Sequence, residues 1–266
     1  MSQPLKVKPG AKVQLKDFDP DFHDGIEKQA ALEEAAKNAD ALDELAYRLY
    51  AEHRRALLIV LQGMDTSGKD GTIRHVMSRV SPQTCKVVSF KQPNSEELEH
   101  DFLWRVHRAV PPKGQIGIFN RSHYEDVLVV RVHHLVEKSV WKSRYEKINL
   151  FEKFLAQEGT TILKFFLHIS RDEQRERLLK RIEDPHKLWK ISEADVAERK
   201  YWDDYQRAYE DAIAECGADH ASWYIVPANH KWYRNLVVGR VVHETLKQMD
   251  PKFPAAAKDL TKLVIE

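Results

Sequence analysis

Apolar residues along this chain alternate between two rhythms. Short apolar runs occur at 56–61, 85–90, 115–119, 161–169 and 223–226. Their length suits strands, and the first, unbroken and bounded by a glycine, suits a strand buried on both faces. Between them apolar positions recur at helical spacing. Leu42, Leu45, Ala46 and Leu49 fall at i, i+3, i+4 and i+7 and predict one or two helices over 25–53. Helices are also predicted over 72–80, 95–110, 124–136, 143–157, 171–182, 192–215 and 233–249. Ser95 is the expected N-cap of the 95–110 helix, with Glu96 and Glu97 in its first turn. Pro185 ends the helix that starts at 171.

Strands alternating with helices predict an α/β fold of three layers: a mainly parallel five-stranded sheet with helices on both faces. The 25–250 region reads as a single domain. Residues 1–24, with Pro4, Pro9, Gly10 and Pro20, read as an extended arm over the domain surface or a neighbouring subunit. Pro251 and Pro254 open a C-terminal tail over 251–266. Ligands of such sheets bind at the carboxyl ends of the strands. The loops at 63–71, 90–95, 120–126, 171–190 and 227–234 are therefore where chemistry is expected.

The first of these loops reads GMDTSGKDGT and lies between the first strand and a helix. This context separates a phosphate-binding loop, or Walker A motif, from a chance match. Gly63, Gly68 and Gly71 let the backbone turn its N–H groups toward an anion. The helix N-terminus, with Thr66, Asp70 and Thr72 around it, adds its dipole there. Lys69 brings a point charge to a bridging phosphate oxygen. Position 70, ordinarily Ser or Thr, is Asp70, and Asp65 lies inside the loop. Two acids in a phosphate cradle repel the ligand unless a cation lies between them, so a metal-bridged polyanion is expected.

The strand ending at Phe119 runs into Asn120, Arg121, Ser122 and Glu125. An acid that positions Mg²⁺ usually stands where Asn120 does. Its amide oxygen can accept from a metal-bound water, and Asp65, Asp70 and Glu125 can supply the missing charge. Arg121 is placed to clamp a phosphoryl group, and Arg131 follows on the next helix. An Asn-Arg-Ser turn that merely caps this helix is the plainer alternative. Seven basic residues lie in 171–190, among them Arg177, Lys180, Arg181, Lys187 and Lys190, against five acids. They predict a mobile lid over about 171–192 that brings cations to phosphates, although a solvated helix face would look similar. Lys91 and Arg105 are candidates for holding the acceptor, and Lys231 and Arg234 for reaching a polyanion. Phe102 and Trp104 read as core. His133 and His134 are adjacent on a helix and point apart, which argues against a shared metal.

Bulk properties narrow the classes. The 266 residues carry a net charge of +1, so no global field selects nucleic acid or a membrane surface. Two cysteines without CxxC spacing suit a reducing, cytoplasmic setting. The first residues have no apolar segment of signal-peptide type, and no apolar run approaches a membrane span.

Four motifs in order carry a resemblance: GMDTSGKDGTIRHV at 63–76, HDFLWRVH at 100–107, FNRSHYEDVLVVRVH at 119–133 and EDPHKLWKIS at 183–192. Together, over about 22–249, they resemble the family-2 polyphosphate kinases. The resemblance implies a thymidylate-kinase-like P-loop kinase fold that assembles as homodimers or homotetramers. It implies Mg²⁺-dependent phosphoryl transfer (Mn²⁺ as a substitute) between inorganic polyphosphate and ADP, AMP or ATP. On it, Asp65, Asn120 and Glu125 form the metal set, Lys69 binds phosphate and Arg121 clamps the transferred group. Ser122 and the loop residues join the phosphate- and nucleotide-binding set, and the lid cations close over the chain. Many relatives have Asp where this chain has Asn120, and Asn where it has Glu125. The pairing here resembles the subgroup that phosphorylates AMP as well as ADP. An ATP-dependent nucleoside monophosphate or small-metabolite kinase is the alternative, and a non-catalytic phosphate-loop protein a third.

Overall fold

The computed structural model describes residues 5–255 and Ile265. The parts of the predicted arm and tail at 1–4, 256–264 and 266 lie outside the described residues. Five strands form one parallel sheet in the order β2-β3-β1-β4-β5. These are β1 (Ala56–Gln62), β2 (Cys85–Ser89), β3 (Ile116–Asn120), β4 (Thr160–His168) and β5 (Ala221–Pro227). All seven residues of β1 are buried, as an unbroken apolar run at a sheet centre requires. β2 is an edge strand and largely solvated.

The helices are α1 (Lys28–Glu52), α2 (Lys69–Val76), α3 (Ser95–Glu99), α4 (Trp104–His107), α5 (Glu125–Val132), α6 (Lys138–Gln157), α7 (Arg171–Ile182), α8 (Glu193–Glu198), α9 (Trp202–Glu215) and α10 (Lys231–Met249). α1 buries Leu42, Ala46 and Leu49 and packs along α10. The long helix predicted over 95–110 is two short ones. Asn94, not Ser95, is the N-cap: its side chain accepts from the Glu97 amide and Glu97 returns the bond. The turn ends at His100, and the Asp101 carboxylate accepts from the Leu103 amide ahead of α4. The helix predicted over 192–215 is also broken. After α8 it tightens into a 3-10 turn at Arg199–Tyr201, where Arg199 reaches back to the Arg171 carbonyl and Gln174.

The arm is tied to the sheet. The Val7 amide donates to the Trp223 carbonyl at 2.9 Å, and the Ile225 amide to the Leu5 carbonyl at 2.8 Å, so β5 is not a bare edge. Leu15 is buried, and the Asn229 amide donates to the Pro20 carbonyl at the carboxyl end of β5.

The pattern gave no warning of a buried polar cluster behind the sheet. Lys164 on β4 is fully buried and donates to Glu152 Oε2 at 2.6 Å, to the Tyr124 hydroxyl at 2.9 Å and to the Cys216 carbonyl at 2.6 Å. His123 Nε2 lies 3.1 Å from Glu152 Oε1. Burial works against the Glu152 charge, but Lys164 and His123 outweigh it and hold the carboxyl below its ordinary value.

Candidate active site

Strand β1 delivers the chain into the phosphate loop, and three positive φ angles shape it: 153° at Gly63, 65° at Thr66 and 99° at Gly68. A Cβ at Gly63 would stand 2.8 Å from the Leu167 carbonyl oxygen, so only glycine fits against β4 there. Helix α2 begins at Lys69, directly after Gly68, and aims its first amides into the loop. The Lys69 ammonium donates to the Gly63 carbonyl at 2.8 Å and the Met64 carbonyl at 3.3 Å. Burial and the nearby Arg121 charge lower its pKa to about 8, against the pull of Asp65, Glu125 and Asp70.

Parallel pairing of β1 with β3 sets Asn120 beside Leu61, at the mouth of the loop. Arg121 has a φ of 62°, which turns its side chain back across the strand ends. Its guanidinium lies 2.8 Å from Asp65 Oδ1 and 3.6 Å from Glu125 Oε2. Burial opposes this charge, but the two carboxylates prevail and hold its pKa above the ordinary value. Asn120 Nδ2 donates to Asp70 Oδ1 at 2.5 Å. The structure therefore brings Asp65, Lys69, Asp70, Asn120, Arg121 and Glu125 together at one point. Tyr209, which the sequence did not single out, is buried nearby and donates to Gln62 Oε1 at 3.3 Å. Burial first, then the Glu125 charge, pushes its hydroxyl well up.

Among the described residues no three His, Cys, Asp or Glu side chains converge closely enough to hold an ion alone. The donors at the loop mouth are carboxylate and amide oxygens. Such oxygens suit a hard cation that keeps several waters and binds through one or two carboxylates plus ligand phosphates. The residues present therefore fit Mg²⁺ better than a soft or imidazole-seeking metal.

Several expected phosphate ligands have other work. Arg177 is 6% exposed. It donates to the Thr66 and Ser67 carbonyls at 2.8 and 3.0 Å and to the Ala228 and Asn229 carbonyls at 2.6 and 2.9 Å. It is a bracket between the phosphate loop and the loop after β5, not a free lid cation. Ser122 is buried, and its hydroxyl accepts from Gln62 Nε2 and the Tyr124 amide, which fixes the turn ahead of α5 without capping it, since the N-cap Tyr124 has no side-chain cap bond. Arg131, in the last turn of α5, bonds Asp211 Oδ2 at 2.7 Å and stacks on Trp141, away from the loop. Arg105 is buried, donates to the Lys91 carbonyl at 2.8 Å, pairs with Glu97 and lies over the Phe90 ring. It shapes the loop after β2, while the Lys91 side chain stays exposed.

The lid residues Lys180 and Lys187 are exposed and paired with Glu176 and Asp184. Arg181 donates to the Lys190 carbonyl, and Lys190 lies over the Trp189 ring. Lys231 opens α10, and its pKa is lowered by burial and by Arg177, so it shares a cationic neighbourhood with the loop. Gln174, also unforeseen, donates to the Asp65 carbonyl at 3.1 Å.

The geometry is that of a polyanion seat. A polyphosphate kinase 2 family model matches residues 25–254. The chain is 51% identical over 263 residues to an AMP/ADP-polyphosphate phosphotransferase of Meiothermus ruber, covering 98% of each. It is 48% identical over 227 residues to an ADP-polyphosphate phosphotransferase of Rhodopseudomonas palustris, covering 81% of this chain and 78% of that one. Among solved structures it is similar to polyphosphate kinase 2 from Arthrobacter aurescens, with a TM-score of 0.93, 41% identity, and coverage of 97% of this chain and 92% of that one.

Proposed function

The chain belongs to the polyphosphate kinase 2 family, and on that premise we propose that it transfers a terminal phosphoryl group from inorganic polyphosphate to ADP, giving ATP, and to AMP, giving ADP. The observation that carries the reading is the cluster at the loop mouth. A buried lysine faces the anion seat, and an arginine is held at 2.8 Å from Asp65 where the strand ends converge. The 51% identity with the Meiothermus ruber AMP/ADP-polyphosphate phosphotransferase supports AMP as an acceptor beside ADP.

No protein nucleophile is required. An acceptor phosphate oxygen attacks in line, and catalysis consists of alignment and charge neutralisation. The loop amides and Lys69 seat the donor phosphate. Arg121, oriented by Asp65 and Glu125, presents its fork where charge spreads onto the transferred oxygens. Asp65 and Glu125 would hold Mg²⁺, with the free amide oxygen of Asn120 accepting from a bound water. Bound there, the ion would supply positive charge against the phosphates. On the lid Lys180, Lys187 and Lys190 are exposed and Arg181 is half-buried, and these cations would meet the rest of the polyphosphate chain.

We place the protein in the cytoplasm, as a homodimer or homotetramer. Both cysteines are free, which suits a reducing compartment. Among the described residues no helix is long and apolar enough to cross a membrane. Exposed Leu150 and Phe154 on α6 offer apolar surface for self-association, which light scattering on the purified protein would measure.

The test of the reaction is ATP formation from ADP with polyphosphate as sole donor. Lys69→Ala should lower turnover by a factor of about 100 or more while leaving the circular dichroism spectrum unchanged. Near-native turnover in that variant rejects the role given to the loop.

A further inference from the structure

Five lysine and arginine side chains are buried among the described residues: Lys69, Arg105, Lys164, Arg177 and Arg234. Three of them have a carboxylate within ion-pair distance: Arg105 has Glu97, Lys164 has Glu152 and Arg177 has Glu173. Lys69 and Arg234 have none. Lys69 follows the last glycine turn of the phosphate loop, and Arg234 packs against that loop from α10.

Arg234 stands in the first turn of α10 and reaches under the loop, with 2% of its surface exposed. Its Nη1 donates to the Ser67 carbonyl at 3.0 Å. Nε and Nη2 donate to Asn235 Oδ1 at 3.2 and 2.9 Å, a neutral acceptor. A Cβ built on Gly68 would meet Nη1 at 1.9 Å, and one built on Gly71 would meet Nη2 at 3.3 Å. The guanidinium is thus pressed against the backbone whose amides form the anion seat.

A buried charge without a counter-ion is strongly disfavoured, and proteins pair nearly all of them. On the reading above, a seated phosphate would be the counter-ion of Lys69. Arg234 adjoins the same backbone and faces the same deficit. Burial and the nearby Arg177 charge lower its pKa to about 9, far below where an arginine ordinarily titrates.

We propose that Arg234 is a positioning residue that charges the phosphate loop from behind, with the phosphate seated in the loop as its counter-ion. It touches no reacting atom. It raises the potential of the Ser67–Gly71 backbone, and the anion relieves its own unpaired burial. The inference rests on the loop being a phosphate seat, as read above, and not on which molecule donates. The alternative is a tether, in which Arg234 only holds the Ser67 carbonyl.

Three variants separate charge from tether. Arg234→Lys keeps the charge. Arg234→Gln keeps a hydrogen-bond donor without charge. Arg234→Met keeps most of the stem and neither property. Each is titrated calorimetrically with inorganic tripolyphosphate and, separately, with ATP, both with Mg²⁺, alongside thermal melting of the ligand-free protein. The expected result is a loss of affinity of about ten- to a hundredfold in the Gln and Met variants, within the usual span of site–site coupling. Arg234→Lys should stay within about threefold of native, and the ligand-free Gln variant should melt no lower than native, because an uncompensated charge has gone.

Native affinity in Arg234→Gln overturns the proposal and assigns the tether. So does a loss that Arg234→Lys fails to restore. If Met does not fold, the Gln and Lys pair decides alone. If the native protein binds ATP but not tripolyphosphate, the donor assignment fails, and Arg234 is judged on the ATP titrations.

Discussion

Lys69 should take up a proton when phosphate binds, and the amount follows from its surroundings. Lys69 is 8% exposed, and its ammonium is bonded only to carbonyls. Burial and Arg121 lower its pKa from 10.5 to about 8, which corresponds to about 3 kcal/mol against the charged form. Because a cation's pKa is lowered on folding, the folded chain binds fewer protons than the unfolded chain between these two values. Ligand-free stability contributed by this group is therefore reduced at pH 7 and is regained as pH rises from about 8 to about 10.5. A phosphate seated on the loop supplies the missing counter-charge and restores full protonation. Binding should then take up about half a proton at pH 8 and about a tenth at pH 7. Arg234, lowered to about 9, adds about a tenth at pH 8. Calorimetric titration of tripolyphosphate and Mg²⁺ at pH 8, in buffers of different ionisation enthalpy, reads the proton count directly. Any proton carried by the tripolyphosphate itself is common to all variants and cancels in the difference between them. Lys69→Arg should remove most of the uptake and leave the share from Arg234, because a guanidinium titrates so far above an ammonium that the same burial leaves it charged at pH 8. No uptake by the native protein, or equal uptake in Lys69→Arg, would refute the reasoning.

Three further outcomes are expected. Gly68→Ala places a methyl 1.9 Å from Arg234 Nη1 at a φ of 99°, so turnover should fall by a factor of about 100 or more and tripolyphosphate should cease to raise the melting temperature. Asn120→Asp replaces the amide that donates to Asp70 at 2.5 Å with a second carboxylate. The ligand-free variant should melt lower than native at pH 7, and Mg²⁺ should recover more of that loss than it adds to the native protein; equal shifts would count against cation binding between these side chains. Glu152→Gln leaves Lys164 buried without a carboxylate. Urea unfolding should show a loss of about 3–5 kcal/mol, and the double variant Glu152→Gln/Lys164→Met should recover part of it.

Much of the catalytic end was legible because backbone chemistry dictates it. A glycine-spaced loop after a fully apolar strand has few alternatives, and Lys69, Asp65, Arg121 and Glu125 lie where strand order and loop spacing put them. Side-chain direction was not legible. Arg177 and Arg181 share a helix face by spacing, yet Arg177 turns inward to four carbonyls and Arg181 outward to Lys190. Arg131, on the helix after β3, and Arg105 read as candidate ligands from sequence, yet they serve packing, because charge in a sequence does not reveal which partner a fold brings to it. The helices predicted over 95–110 and 192–215 are each broken in the structure. The caps Asn94 and Ser192 and the Asp101 turn ahead of α4 carry some of the signal for where those helices start and stop. The 3-10 turn at Arg199–Tyr201 has no such mark, since Arg199 bonds residues 25 or more positions earlier. The Lys164–Glu152 pair was invisible for the same reason, as the two residues meet only when α6 lies on β4.

The central claim is that one seat aligns a polyphosphate end with a nucleotide phosphate. A product time course from AMP, polyphosphate and Mg²⁺, with no ATP added and each nucleotide resolved by chromatography, tests it most directly. ADP should appear first and ATP after a lag, both dependent on polyphosphate. Absence of either product with polyphosphate, alongside AMP phosphorylation when ATP alone is supplied, would contradict it.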